Sequence, residues 1–111
     1  MKTRILSIVV FLMLAAFIVH ARKITDTFKV RGADSFECKI QIESTAFNVV
    51  GVSMANWNSE KQEIRVIFDE SKTTVDNIKK TLAKAGFDTE HFKAKDEVFN
   101  KLPDCCKYER E

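Results

Sequence analysis

Apolar positions recur along this chain with three different periods, and each period predicts a different kind of segment. Residues 5–19 form one apolar run interrupted only by Ser7, shorter than the roughly 20 residues a membrane span needs. Further on, Phe28-Lys29-Val30-Arg31 alternates apolar and polar, the pattern of a half-buried strand. The break Gly32-Ala33-Asp34-Ser35 follows, and Asp34 with Glu37, three apart, predicts a capping box that starts a helix. Ile42, Ala46 and Val49 then recur at spacings of four and three, with Gly51 placed to end the helix. A second strand is expected over residues 52–57, a turn at Asn58-Ser59-Glu60-Lys61, and a third strand with Ile64, Val66 and Phe68 on one face.

The second half repeats the scheme. Thr73 with Asp76 predicts another capping box, and Val75, Ile78, Leu82 and Ala85 make a stripe at helical spacing. Gly86 stands where a left-handed residue ends a helix. Residues 87–94 can supply a last strand. Strand, helix, strand, strand, helix, strand in so short a chain is most simply an α+β, ferredoxin-like βαββαβ sandwich, four antiparallel strands with both helices on one face. Its expected core is Phe28, Val30, Ile42, Ala46, Trp57, Ile64, Val66, Ile78 and Leu82. Residues 95–111 lie outside that plan as a short helical extension. Asp96 can cap a helix bearing Val98, Phe99 and Leu102, which Pro103 ends, and whose apolar side can cover part of the open sheet face.

The N-terminal run changes the reading of charge. Lys2 and Arg4 precede it and Val19-His20-Ala21 closes it, the charged, apolar, small-residue order of a cleavable secretory signal. The chain therefore reads as a signal peptide over residues 1–21, one domain over 22–94 and an extension over 95–111, exported to the periplasm or the medium. Taking Lys2 and Arg4 from the 18 basic residues leaves 16 against 16 acidic ones, well mixed. No basic stripe remains to bind nucleic acid. No triad elbow, metalloprotease helix or phosphate-binding glycine loop is present either, so an enzyme is not expected.

Four segments together resemble the heavy-metal-associated domain family of soft-metal chaperones and transporter modules. They are Phe28-Lys29-Val30-Arg31-Gly32, Val50-Gly51-Val52, Ile64-Arg65-Val66-Ile67-Phe68-Asp69 and Lys84-Ala85-Gly86-Phe87. The resemblance implies the βαββαβ fold and a metal loop holding a Met and two Cys separated by two residues. Here Ala33 stands at the Met position, Ser35 replaces the first Cys, and Cys38 alone matches. Its place in the first turn of a helix favours a thiolate.

The remaining cysteines, Cys105 and Cys106, are adjacent. Neighbouring Cα atoms lie about 3.8 Å apart, closer than the roughly 4.4 Å a disulfide usually needs. Either can instead pair with Cys38, or all three can hold one soft ion. In the expected fold the tail must climb about 17–20 Å to reach Cys38, which a tail part helix and part extended can do. Two or three thiolates suit Cu(I), Hg(II), Zn(II) or Cd(II) and not Ca(II) or Mg(II). His91 is expected to be exposed and no ligand. The chain thus reads as an exported carrier or buffer of thiophilic ions that uses Cys38, Cys105 and Cys106 and delivers to a membrane metal transporter. The alternative is a scaffold module that kept the fold and lost the site, stapled by a disulfide from Cys38 to the tail.

Overall fold

The computed structural model describes residues 21–111, so the expected signal peptide lies outside the described residues except for Ala21. Seven elements follow: strand β1 (Lys23–Lys29), helix α1 (Phe36–Phe47), strands β2 (Val52–Asn58) and β3 (Glu63–Asp69), helix α2 (Val75–Lys84), short helix α3 (Asp96–Asn100) and a 3-10 turn (Asp104–Cys106). Strand β3 lies between β1 and β2 and pairs antiparallel with both. In that register Ile64 sits opposite Phe28 on one side and Trp57 on the other. The three side chains form one buried row beneath the helices.

The apolar stripes face this row. Helix α1 contributes Cys38, Ile42 and Ala46, and α2 contributes Ile78 and Leu82. All nine residues expected in the core are buried, in one cluster with Val52, Phe68, Phe87, Leu102, Cys38 and Cys106. On the other face of the sheet Thr27, Asn56 and Arg65 are exposed. Strand β2 is an edge, and α1 covers part of its backbone. Glu43 Oε2 accepts from the Trp57 N–H (2.8 Å) and Lys39 Nζ donates to the Trp57 carbonyl (2.8 Å). These bonds satisfy main-chain groups that an edge strand otherwise leaves unpaired.

Three expectations are corrected. The sheet has three strands, not four. Residues 87–94 form only an isolated bridge just past the end of β1, Val30 to Thr89, and the chain then reverses so that Thr89 bridges Phe92. His91, exposed, takes φ +72° within that reversal, and the Asp88 carboxylate accepts from the Ala94 N–H (2.8 Å). A run with no strict alternation gave the strand no apolar face to bury, and the turn prevailed.

The caps are the second correction. Ser35, not Asp34, caps α1, its Oγ accepting from the Cys38 N–H (3.1 Å). Thr74, not Thr73, caps α2 by accepting from the Asn77 N–H (3.1 Å). Asp34 is engaged elsewhere, by the Ser59 hydroxyl (2.9 Å).

The tail is the third. Its apolar side chains do not cover the open sheet face. Leu102 and Cys106 join the core on the helix side, with Phe99 and Tyr108 packed against it. Gly86 makes the close approach possible. It has φ +112°, as expected of a left-handed helix end, and a Cβ built there would come within 2.9 Å of Leu102.

Candidate functional site

The candidate site is centred on the loop between β1 and α1. Gly32 opens it and is buried. A Cβ at this position would stand 2.5 Å from Ile42 Cδ1, 3.1 Å from the Trp57 ring and 3.2 Å from Cys38 Sγ. The missing side chain is therefore what lets the loop lie on Trp57 and on the Cys38 sulfur. The Trp57 indole N–H donates to the Val30 carbonyl (3.0 Å), which fixes the ring under the loop. Ser35, Phe36, Glu37 and Cys38 are the cap and first three helical positions, so Cys38 meets the unpaired N–H groups of the helix start.

The tail brings its sulfur to this place. Cys38 and Cys106 are joined in a disulfide, with Cα atoms 4.9 Å apart and a sequence separation of 68. Both are fully buried. Cys105 is free and exposed, and its Sγ donates to Glu37 Oε2 (2.9 Å). That bond to a carboxylate raises the Cys105 pKa and keeps the thiol protonated. Thus the adjacent cysteines do not bond to each other. One is inside on Cys38 and its neighbour is outside on Glu37.

Polar contacts hold the tail in this position. The Ser35 hydroxyl, while capping α1, donates to the Cys105 carbonyl (2.8 Å). Tyr108 donates to the Gly86 carbonyl (2.9 Å) and accepts from the Asp88 N–H (2.8 Å), and its ring meets Phe99 edge-on at 4.9 Å. Burial, ahead of any other cause, pushes its pKa up to about 12. Arg110 spans both Asp88 oxygens, Nε to Oδ2 and Nη2 to Oδ1, each at 2.9 Å. It also donates to the Ala94 carbonyl (2.6 Å) and to Asp96 (2.7 Å), with its guanidinium 4.9 Å from the centre of the Phe99 ring. Burial alone would raise the Asp88 pKa. The Arg110 fork and the Ala94 N–H outweigh it and hold the carboxyl below its usual range. At the other end Arg31 donates to the Glu109 carbonyl (2.9 Å) and pairs with Glu111 (3.1 Å).

Of the three residues singled out from the sequence, the structure brings Cys38 and Cys106 into one bond and leaves Cys105 outside it. Among the described residues no group of three or more His, Cys, Asp or Glu side chains is set to hold a metal ion. While the disulfide stands, Cys38 and Cys106 have no thiolate to offer. Two electrons and two protons convert them into neighbouring thiols at a helix start, with a third thiol alongside. Sequence reasoning missed Ser35, Asp88, Tyr108 and Arg110. Ser35 had a signal, since a serine just before the first helical residue is a standard cap. The Arg110–Asp88 pair, 22 residues apart, had none.

Comparison with known proteins agrees with this fold. A family model described as the heavy-metal-associated domain matches residues 27–88. The copper chaperone CopZ of Staphylococcus epidermidis is 33% identical over 60 residues, covering 54% of this chain and 88% of the chaperone. A solved CopZ metallochaperone superposes with a TM-score of 0.57 at 30% identity, covering 60% of this chain and 98% of that one. Oxidized MerP from Ralstonia metallidurans gives a TM-score of 0.57 at 31% identity, covering 61% and 94%. The matched family segment ends before the tail begins.

Proposed function

We propose that this chain, which belongs to the heavy-metal-associated domain family, is an exported carrier or buffer of a thiophilic ion, gripped by Cys38 and Cys106 once their disulfide is reduced. Cys105 serves as a third sulfur on the rim. One observation carries the reading. Where the family's loop has two cysteines, this chain keeps one and its tail supplies another, with Cα atoms 4.9 Å apart. A serine at the other loop position cannot ligate a soft ion as a thiolate does, so the tail sulfur makes up the pair. Two thiolates without imidazole suit Cu(I), Hg(II) or Zn(II), and the similarity to a copper chaperone puts Cu(I) first. Delivery is to a membrane metal transporter. The role is carriage, not catalysis, in line with the similarity to a copper chaperone. The signal pattern at the N-terminus supports export, and an oxidising compartment suits the disulfide.

The test is competition with a Cu(I) chelator under strictly reducing, oxygen-free conditions. Parent protein is expected to hold one ion per chain, and Cys38→Ser or the double change Cys105→Ser/Cys106→Ser to lose most of that affinity. A tail variant that binds as tightly as the parent would remove the tail from the site.

The full burial of both sulfurs favours a second reading, a scaffold whose disulfide is only a staple. On that reading all three proteins bind Cu(I) negligibly, and reduction changes stability alone.

A further inference from the structure

The disulfide is one of several contacts that hold the tail at the loop. Ser35 on the Cys105 carbonyl, Tyr108 between Gly86 and Asp88, Arg110 forked on Asp88, and Leu102 in the core hold residues 102–110 from both sides of Cys106. None of these contacts uses a sulfur. We infer that Arg110 and Tyr108, with Ser35, are positioning residues that keep the Cys106 thiol against Cys38 after reduction, so the two sulfurs form a preassembled pair. This role deepens the reading of Cys38 and Cys106 as a working thiol pair and rests on it.

Effective concentration is the physical quantity at stake. A thiol on a short flexible tether meets its partner at roughly millimolar concentration. A thiol whose backbone is fixed on both sides has already lost that freedom, and its effective concentration rises well above the tether value. The position of Ser35 fits this role. Its one hydroxyl caps α1 and ties down the tail where the family's loop has a cysteine. Arg110 is suited too, because its planar fork engages both oxygens of a nearly buried carboxylate, with a side-chain exposure of 20% against 10% for Asp88.

Effective concentration can be read without metal. In a Cys105→Ser background only one intramolecular disulfide can form. Its dithiol form exchanges with oxidised glutathione to give the Cys38–Cys106 disulfide and two reduced glutathiones, the two thiol protons ending on the glutathione sulfurs. The ratio at equilibrium in a series of glutathione buffers gives the effective concentration. Arg110→Gln is expected to lower it at least tenfold and Tyr108→Phe by a smaller factor. Arg110→Lys, which keeps the charge without the fork, should fall between Arg110→Gln and parent. Thr74→Ala, which weakens the cap of α2 away from the tail, should leave it within twofold of parent. If the Arg110→Gln protein fails to fold, Tyr108→Phe decides. A folded Arg110→Gln, or in its absence Tyr108→Phe, with an equilibrium indistinguishable from parent would overturn the proposal. Because no metal takes part, that failure is separate from failure to bind Cu(I).

Discussion

The body of this domain and its tail are held by different kinds of force. Between β1 and α2 burial of apolar surface dominates, with Trp57, Ile42, Ile64, Ile78, Leu82 and Val66 all fully enclosed and each such side chain contributing about 1.5–3 kcal/mol. The short helix α3 has no buried residue of its own, and in residues 95–111 only Leu102 and Cys106 are buried. The tail is fastened instead by one disulfide, one arginine fork, one tyrosine and one serine. Burial is non-directional and tolerant. The tail's contacts are specific in geometry, and each depends on a partner far away in sequence. A segment held in that way depends on a few named contacts, whereas the body depends on the sum of many.

Breaking the body should cost most. Leu82→Ala or Ile42→Ala removes a fully enclosed side chain and is expected to destabilise the protein by about 2–5 kcal/mol, measured by denaturant unfolding. Parent-like unfolding of both variants would mean the helix faces are misassigned. Next comes the disulfide. Reduction, or Cys106→Ser, should cost about 2–4 kcal/mol yet leave a folded body, seen as an unchanged helical circular dichroism signal below the transition. Loss of that signal on reduction would erase the distinction between the two regions.

A smaller effect separates body from tail at a single hydroxyl. Ser35→Ala and Thr74→Ala each remove a helix cap and should each cost about 1 kcal/mol, but Ser35 also holds the tail. In reduced protein the Ser35 variant is expected to show faster amide exchange over residues 104–110, and the Thr74 variant is not. Equal exchange in the two would assign Ser35 to α1 alone.

The smallest effects are in pH. Tyr108 is the single tyrosine of the chain, so ultraviolet absorbance reports it cleanly. Its folded pKa, about 12, lies above the roughly 10 of an unfolded tyrosine. The contribution of Tyr108 to tail docking is therefore complete below about pH 10 and lost as pH rises through about 12. A midpoint near the unfolded value in folded protein would place its hydroxyl in water. Asp88 behaves oppositely. Its folded pKa is depressed, so its contribution is present above the roughly 3.9 of an unfolded aspartate and lost as pH falls through the lower folded value. The clamp is consequently whole across the neutral range.

The same contrast explains what is legible in the chain. Period-2 runs around Val66 and period-3.6 stripes through Ile42 and Leu82 predict burial directly, because burial follows side-chain direction. Phe28, Trp57 and the rest of the expected core are legible for that reason. Residues 87–94 read as a strand and are not one, since the reversal at Thr89 to Phe92 depends on a local turn with His91 at positive φ. The tail is legible only as a reachable pair of cysteines. Which cysteine turns inward is settled by Glu37 holding Cys105 outside and by Arg110 and Tyr108 beyond, and none of these leaves a periodic trace.

The proposed function turns on Cys38 and Cys106 holding a soft ion together. The most direct measurement is copper X-ray absorption on protein reduced, loaded with Cu(I) against a competing chelator and freed of excess metal. Copper bound by two or three sulfur atoms is expected in parent, and copper lost to the chelator in Cys38→Ser and in Cys106→Ser. A parent that retains no copper, or an all-sulfur environment that persists unchanged when Cys38 or Cys106 is replaced, would contradict it.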